Sequence, residues 1–320
     1  MISFLRRIFL VLLLGGWACQ GPPPTLPSGA FQELRLVRDA SLAHLDRRVR
    51  QHLTTVYHTP HEDPLYEVIP LTPDSFLARK KGYQQTLWLS TPSSPTHARF
   101  QEIFHITTGL AHRRGLFREN DFLIGMAAPS WQTLDLWLDQ KGDSLKQRFL
   151  SNTLRLLRSI VYYPGRDARM ERRVEARGFH LDIPRGYAVF AEGDRVIGLA
   201  KHEPTRFLMA VRLPGVRHLD SAAVVALRDS LASVYYEGER VLPSTVVVET
   251  VRLGSRTVRV LTGAWEHPEE PRGGAFRTYA WTERGETVLL DTGVFAPDRQ
   301  RKIPLLLRLQ VIASTFRFLD

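Results

Sequence analysis

TVRVLTGAWEHPEEPRGGAFRTYAWTERGETVLLDTGVF, residues 257–295, decides the fold. Thr257 to Trp265, Ala275 to Trp281 and Thr287 to Phe295 are rich in Val, Leu, Thr and aromatic residues. Charged, Pro- and Gly-bearing stretches separate them, which is the composition of strands and their joints. Upstream, Thr245 to Arg252 reads as a further strand, turned at Gly254-Ser255-Arg256. Phe179 to Ile183, Tyr187 to Ala191, Val196 to Lys201 and Arg206 to Leu213 continue as a meander, with Pro184-Arg185-Gly186 as a turn. Two amphipathic stretches accompany the strands. Asp220 caps one that aligns Val224, Leu227, Leu231 and Val234. The other starts near Ile303 and carries Leu305, Leu306, Leu309, Ile312, Ala313 and Phe316. Residues 178–320 are therefore expected to form a mostly antiparallel sheet with two packed helices.

Residues 31–177 have a different texture and read as an α/β domain, so the fold class is α+β with two α/β domains. Phe31 to Val37 is expected as a strand, and Asp39 as the cap of a helix from Ala40 to about Val56. Tyr57 to Pro64 reads as a polar turn. Leu65 to Ile69 and Gln85 to Leu89 read as strands, with a helical turn from Pro73 to Leu77 and a loop over 90–98. Phe122 to Ala127 is a buried-looking strand. Ser130 caps a helix to Asp139, Gly142 ends it, and Asp143 caps a second, long helix. Pro164-Gly165 breaks that helix, and a charged helix runs on to Arg177, with Gly178 as its stop.

The chain has 320 residues, 43% of them hydrophobic, enough for substantial cores. Its net charge of +10 is dispersed, and most basic residues are arginine. The densest basic stretch, Arg166 to Arg177, is interleaved with Asp167, Glu171 and Glu175 and reads as a solvated helix face. Contact with anionic lipid or polysaccharide is the functional alternative for it. Nucleic acid is not expected as a partner.

Arg6-Arg7, the apolar run Ile8 to Leu14 and Gly15-Gly16-Trp17-Ala18 have the order of a signal peptide over residues 1–18. The run is too short to span a bilayer. Cys19, the single cysteine, follows at the position where a bacterial lipoprotein takes its diacylglycerol and palmitate-type acyl chains. Gly16 stands where leucine is usual. Residues 19–30 then form the lipidated cysteine and a Pro-rich tether, with Pro22-Pro23-Pro24 favouring an extended chain. With no other cysteine, disulfides, thiolate metal sites and cysteine nucleophiles are excluded from the mature fold.

No G-x-S-x-G and no Gly-rich phosphate loop is present, and no cofactor is expected. His58, His61, Glu62 and Asp63 form the densest group of metal-ligand types. Pro60 and Pro64 flank them, so they read either as an exposed turn or as a divalent-metal site. His267, Glu269 and Glu270 sit between two strands and read as solvated. His105 and His112 read as a surface stretch. Trp265, Gly273, Gly274 and Phe276 bound the loop between two strands. They read either as aromatics on a Gly-flexed loop that bind a partner, or as core rings beside a turn.

The order of several short motifs resembles a known family. After the cysteine come Ala127-Ala128-Pro129-Ser130, Tyr162-Tyr163-Pro164, Pro184-Arg185-Gly186-Tyr187, Gly263-Ala264-Trp265, Gly273-Gly274-Ala275-Phe276 and Val294-Phe295-Ala296-Pro297. This resembles, over nearly the whole mature chain, the Bacteroidota lipoproteins grouped as domain of unknown function 4837. Ala275 stands where the family pattern has proline. The second half alone is similar to the PsbP-like sandwich, through its strand-Pro-x-Gly-Tyr opening and its closing helix ending Ala313-Ser314-Thr315-Phe316. The family implies no activity, and the PsbP-like fold implies binding or assembly rather than catalysis.

The expectation is a non-enzymatic cell-envelope lipoprotein, a binding, scaffold or assembly factor held on a periplasm-facing leaflet by Cys19. Its partner would be an envelope protein or glycan. The alternative is a metal-dependent envelope hydrolase using His58 to Asp63.

Overall fold

β5 (Thr86–Ser90) and β7 (Phe122–Ala127) are short, mainly apolar runs, as expected for strands covered on both faces, while β1 (Glu33–Val37) alternates half-buried Glu33 and Arg35 with buried Leu34 and Leu36. Strands β5 and β7 are buried from end to end. The computed structural model describes residues 31–78 and 83–319, so the expected signal peptide, Cys19 and the tether lie outside the described residues. A sheet of order β4-β1-β5-β7-β6 is completed by β4 (Glu67–Leu71) and β6 (Gly109–Arg114). Only β6 runs antiparallel to its neighbour. Alternation along each strand divides two cores. Leu34, Leu87 and Ile124 face α1 (Asp46–Leu53) and α4 (Trp131–Val161). Val37, Trp88 and Leu123 face α2 (Pro73–Ala78) and α3 (His97–Phe104), through Phe76, Phe100 and Phe104.

Four expectations for this half need correction. The stretch 97–104, part of it assigned to a loop, is helix α3. Asp39 does not cap a helix; its carboxylate accepts from the Thr96 hydroxyl at 3.1 Å, and a 3-10 turn over Ala40–Leu45 leads into α1. Gly142 ends nothing: α4 runs unbroken through it for 31 residues. Glycine is there for close approach, since a Cβ would lie 2.6 Å from the His52 Cβ on α1. Residues 56–64 are not a polar turn but a hairpin of β2 (Val56–His58) and β3 (Glu62–Pro64), with Tyr57 and Asp63 turned inward.

After α5 (Ala168–Glu175) the chain enters the second sheet. Its path is β12-β14-β15-β16-β11-β10-β9, and β13 pairs β14. The strands are β9 (Ala188–Gly193), β10 (Val196–Lys201), β11 (Thr205–Pro214), β12 (Arg240–Val241), β13 (Val247–Leu253), β14 (Arg256–Glu266), β15 (Gly273–Glu283) and β16 (Glu286–Phe295). Every pairing in it is antiparallel. The Phe179–Ile183 run stays outside it. Only β8 (Phe179–His180) is strand, paired with β17 (Arg317–Phe318). Helix α6 (Ser221–Tyr235) covers one face, over Phe207, Met209, Leu261 and Phe276. Helix α7 (Ile303–Ala313) covers the other, over Leu208, Ala210, Val260 and Tyr279. The molecule is α+β, its second half a mostly antiparallel sheet with two packed helices.

Helix α7 is apolar nearly all round, the pattern of a helix buried on every side. It belongs to the core that also holds Leu145, Phe149 and Leu157 of α4, so one hydrophobic cluster spans both sheets. On α6 the expected stripe is shifted. Val224 and Ala232 are buried together with Arg228, whereas Val234 is exposed.

Candidate functional site

Trp265 and Phe276 are not on an exposed loop; they sit in β14 and β15, 2% and 0% exposed. Gly273 and Gly274 are also in β15, paired with Glu266 and Trp265. Gly274 has a packing reason to lack a side chain. A Cβ there would lie 2.0 Å from the Val294 carbonyl oxygen and 2.8 Å from the Trp265 ring. The glycine lets the indole lie flat across the neighbouring strand. The joint itself is shaped by His267. Its Nδ1 accepts from the amides of Glu269 and Glu270 at 3.2 and 3.0 Å, so Nε2 carries the proton and donates to the Glu237 carbonyl at 2.8 Å.

Trp265 nevertheless forms one wall of a cavity of about 250 Å³ beside the C-terminal end of α6. Phe190, Phe207, Tyr236 and Phe295 supply further walls. Ring centres lie 4.7 Å apart for Phe207–Tyr236, 5.7 Å for Phe190–Tyr236 and 6.3 Å for Trp265–Phe295. Phe190 is 39% exposed and stands at the rim. Trp265 Nε1 is buried without a hydrogen-bond partner among the described residues. Glu237, Glu239 and Arg272 are the charged residues of the lining, with Arg272 paired to Glu237.

Beneath the rings lies a charged group that the sequence reading missed. Arg228, 1% exposed, donates from Nε to Asp291 Oδ1 at 3.2 Å and stacks 4.4 Å over Phe276. Its Nη2 stands 4.0 Å from Glu239 Oε2. Asp291 also accepts from Thr278 Oγ1 at 2.5 Å, yet burial pushes its carboxyl above the usual range. Burial pushes Glu239 up to about 7, against the pull of Arg228. Two signals were available in the sequence: an arginine four residues from Val224 and Ala232 on a helix face, and an aspartate inside the apolar run TVLLDTGVF. Both break the pattern of an apolar core, where charges are paired.

The group His58, His61, Glu62 and Asp63 does not converge. His58 and Glu62 face each other across the hairpin and are exposed, as is His61, while Asp63 points the other way. Asp63 is fully buried and caps α7 from outside, accepting from the amides of Lys302 and Ile303 at 2.6 and 2.7 Å and from Arg301 Nε at 3.2 Å. Among the described residues no group of three or more His, Cys, Asp or Glu is arranged to hold a metal ion. The metal-site reading is therefore corrected: the carboxylate is spent on helix amides.

The Arg166–Arg177 stretch is not simply a solvated face. Arg166 forks onto Glu171 at 2.7 and 2.9 Å and reaches Asp182 at 2.9 Å, and Arg177 pairs with Glu192 at 2.6 Å. His105 and His112 are exposed, as expected.

Residues 167–315 match the family described as Domain of unknown function (DUF4837). The resemblance drawn from the sequence holds for that region. The AAPS motif and the Tyr162-Tyr163-Pro164 turn precede the match, so it is narrower than the whole mature chain expected above. The DUF4837 region contains both α6 and α7 and the whole second sheet. No curated protein matches the chain by sequence. Similar solved structures include the Ran-binding protein Mog1p of Saccharomyces cerevisiae, 10% identical, TM-score 0.32, covering 45% of this chain and 91% of that one. Another is LpqN of Mycobacterium tuberculosis, described as involved in cell envelope biogenesis. It is 18% identical with TM-score 0.29, covering 44% of this chain and 83% of that one. A Bacteroides thetaiotaomicron protein, 10% identical with TM-score 0.28, covers 45% of this chain and 46% of its own. No helix among the described residues is long and apolar enough to cross a membrane.

Proposed function

We propose that the protein is a non-enzymatic binding factor of the cell envelope, lipid-anchored at Cys19 on a periplasm-facing leaflet, which grips a protein partner through the aromatic cavity beside α6. The observation that carries this reading is the cavity itself: aromatic rings packed at tilted angles around about 250 Å³, with Phe190 exposed at the rim. Aromatic walls with a few placed polar groups suit one apolar side chain of a partner segment. The charged residues of the lining, Glu237, Glu239 and Arg272, give the same segment polar contacts beside the rings. The Arg228–Asp291–Glu239 group holds the cavity floor rigid.

The test is crosslinking in whole cells with the tagged protein, followed by identification of what co-purifies. Cys19→Ala supplies the unanchored control. Phe190→Ala opens the rim and Ala200→Phe fills the cavity, and neither touches the buried charges. An envelope protein recovered with wild type and lost with both cavity variants supports the reading. Equal recovery with all three refutes the cavity's role.

A further inference from the structure

Two turns singled out in the sequence, Tyr162-Tyr163-Pro164 and Pro184-Arg185-Gly186-Tyr187, take no part in the aromatic cavity. They meet at a second one, of about 130 Å³, between the C-terminal end of α4, strands β10 and β11, and α7. Pro164, Pro184 and Ile160 make apolar walls. Val161 and Ile312 add to them, and the charged part of the lining is wholly cationic. Lys201 comes from β10, Arg206 from β11 and Arg308 from α7, with the Tyr187 phenol beside them and no Asp or Glu in the lining.

This arrangement departs from the rest of the chain. Elsewhere several arginines have a carboxylate partner: Arg166 with Glu171, Arg256 with Glu283, and Arg195 and Arg212 both with Glu286. Arg206 is 9% exposed, yet its Nε has no hydrogen-bond partner among the described residues, and neither has that of Arg308. Lys201 Nζ has only the Arg185 carbonyl, at 3.2 Å. The charges feel one another. Burial, and then the Arg206 charge, hold the Lys201 ammonium below the usual lysine range. Burial, then Arg206 and Arg299, lower Arg308 likewise. A buried charge is ordinarily paired. Three cations drawn from three elements onto one small cavity, one of them buried and unpartnered, leave a place for an anion.

We propose that this cavity binds an oxyanion of two negative charges, a phosphate group. Guanidinium forks match the oxygens of phosphate, and the ammonium and phenol add single donors. Three facing cations are neutralised more fully by a dianion than by a carboxylate. The volume lies below the roughly 300 Å³ at which whole small-molecule sites begin. The cavity therefore takes the phosphate group, and whatever carries it stays outside the mouth formed by the half-buried Lys201 and Tyr187. A free phosphate and a phospholipid headgroup present the same chemistry.

The test is thermal unfolding of the purified protein in sodium phosphate against sodium chloride at matched ionic strength. A second arm sediments it with phosphatidylglycerol vesicles, phosphatidylcholine vesicles serving as the uncharged control. In chloride, Arg206→Met and Arg308→Met are expected to melt above wild type, because a like charge is removed. Wild type is expected to melt several degrees higher in phosphate than in chloride, and both variants are expected to lose that difference. Lys201→Met, at the mouth, is expected to weaken phosphate binding about tenfold and reads the site even where a buried variant fails to fold. A phosphate-specific shift without variant-sensitive vesicle binding assigns a soluble phosphate. Variant-sensitive sedimentation with phosphatidylglycerol assigns a headgroup. Equal melting in the two salts with vesicle binding indifferent to the variants overturns the proposal, as does a phosphate shift that persists in all three.

Discussion

Glu239 lies close enough to Arg228 to feel its charge, yet burial outweighs that attraction and pushes its carboxyl from 4.5 up to about 7. The folded state therefore holds this proton more tightly than the unfolded chain does. The resulting stability is fully present below about pH 4.5 and is lost as pH rises through about 7. Between pH 5 and 8 this one group is expected to remove roughly 2–3 kcal/mol. Urea midpoints for wild type should fall across that window, and those of Glu239→Gln should fall markedly less. Gly274 gives a second expectation at this scale. Gly274→Ala drives a methyl into the Val294 carbonyl and the Trp265 ring, and overpacking of this kind costs about 1–3 kcal/mol. Its denaturation midpoint should drop even though alanine is ordinarily an easy replacement for glycine. Trp265 was legible as a residue of interest, but its burial was not: a tryptophan before a Pro- and Gly-rich joint has the same spelling whether its ring faces water or lies over a glycine on the next strand.

Helix α4 shows how an element can hide behind a single residue. Glycine inside a helix costs about 1 kcal/mol relative to alanine, which is why Gly142 reads as a stop. The contact with His52 on α1 reverses that rule here. Gly142→Ala is expected to destabilise the protein, by about 1–3 kcal/mol, because the gain in helix propensity is smaller than the clash with the His52 Cβ. Differential scanning calorimetry of that variant decides the sign. Helix α7 depends in turn on a residue from another element. Asp63→Ala leaves the Lys302 and Ile303 amides without their acceptor and Arg301 without its partner, and should cost about 2–4 kcal/mol, read as a shift in the urea midpoint. The long strands of the second sheet were legible within a few residues, because β-rich runs and turn residues alternate plainly there. Asp63 was not, because a cap is normally sought in the residues just before a helix. The hairpin that carries it hides its inward side: Tyr57 and Asp63 share one face, His58 and Glu62 the other.

Across the whole molecule the decisive feature is that α7 has no exposed side on which to end a domain. It is apolar around its circumference but for Arg308 and Gln310, and it sits in the cluster that also contains the α4 side chains Leu145, Phe149 and Leu157. Tyr57 of the hairpin adds a further tie, donating from its hydroxyl to Glu249 on β13 at 2.6 Å. We propose two units, 31–177 and 178–320, that share this core, and residues 178–320 produced alone are expected to lack a cooperative melt and to bind a hydrophobic dye. A sharp transition for that fragment would show that α4 is dispensable to it. Composition and pattern revealed the two textures of the chain, but not this dependence, since an apolar helix looks the same whether one layer covers it or two. The order of the parts along the chain then matters. Asp63 lies 240 residues before an amide that it caps, and the strands of both sheets precede in sequence the helix that lies between them. Until α7 docks, the folding chain carries an unpaired carboxylate and open apolar faces, so the slow and vulnerable moment in the life of this protein is the docking of one late helix, and for an exported chain it comes beyond the membrane, where a holding chaperone has most to protect.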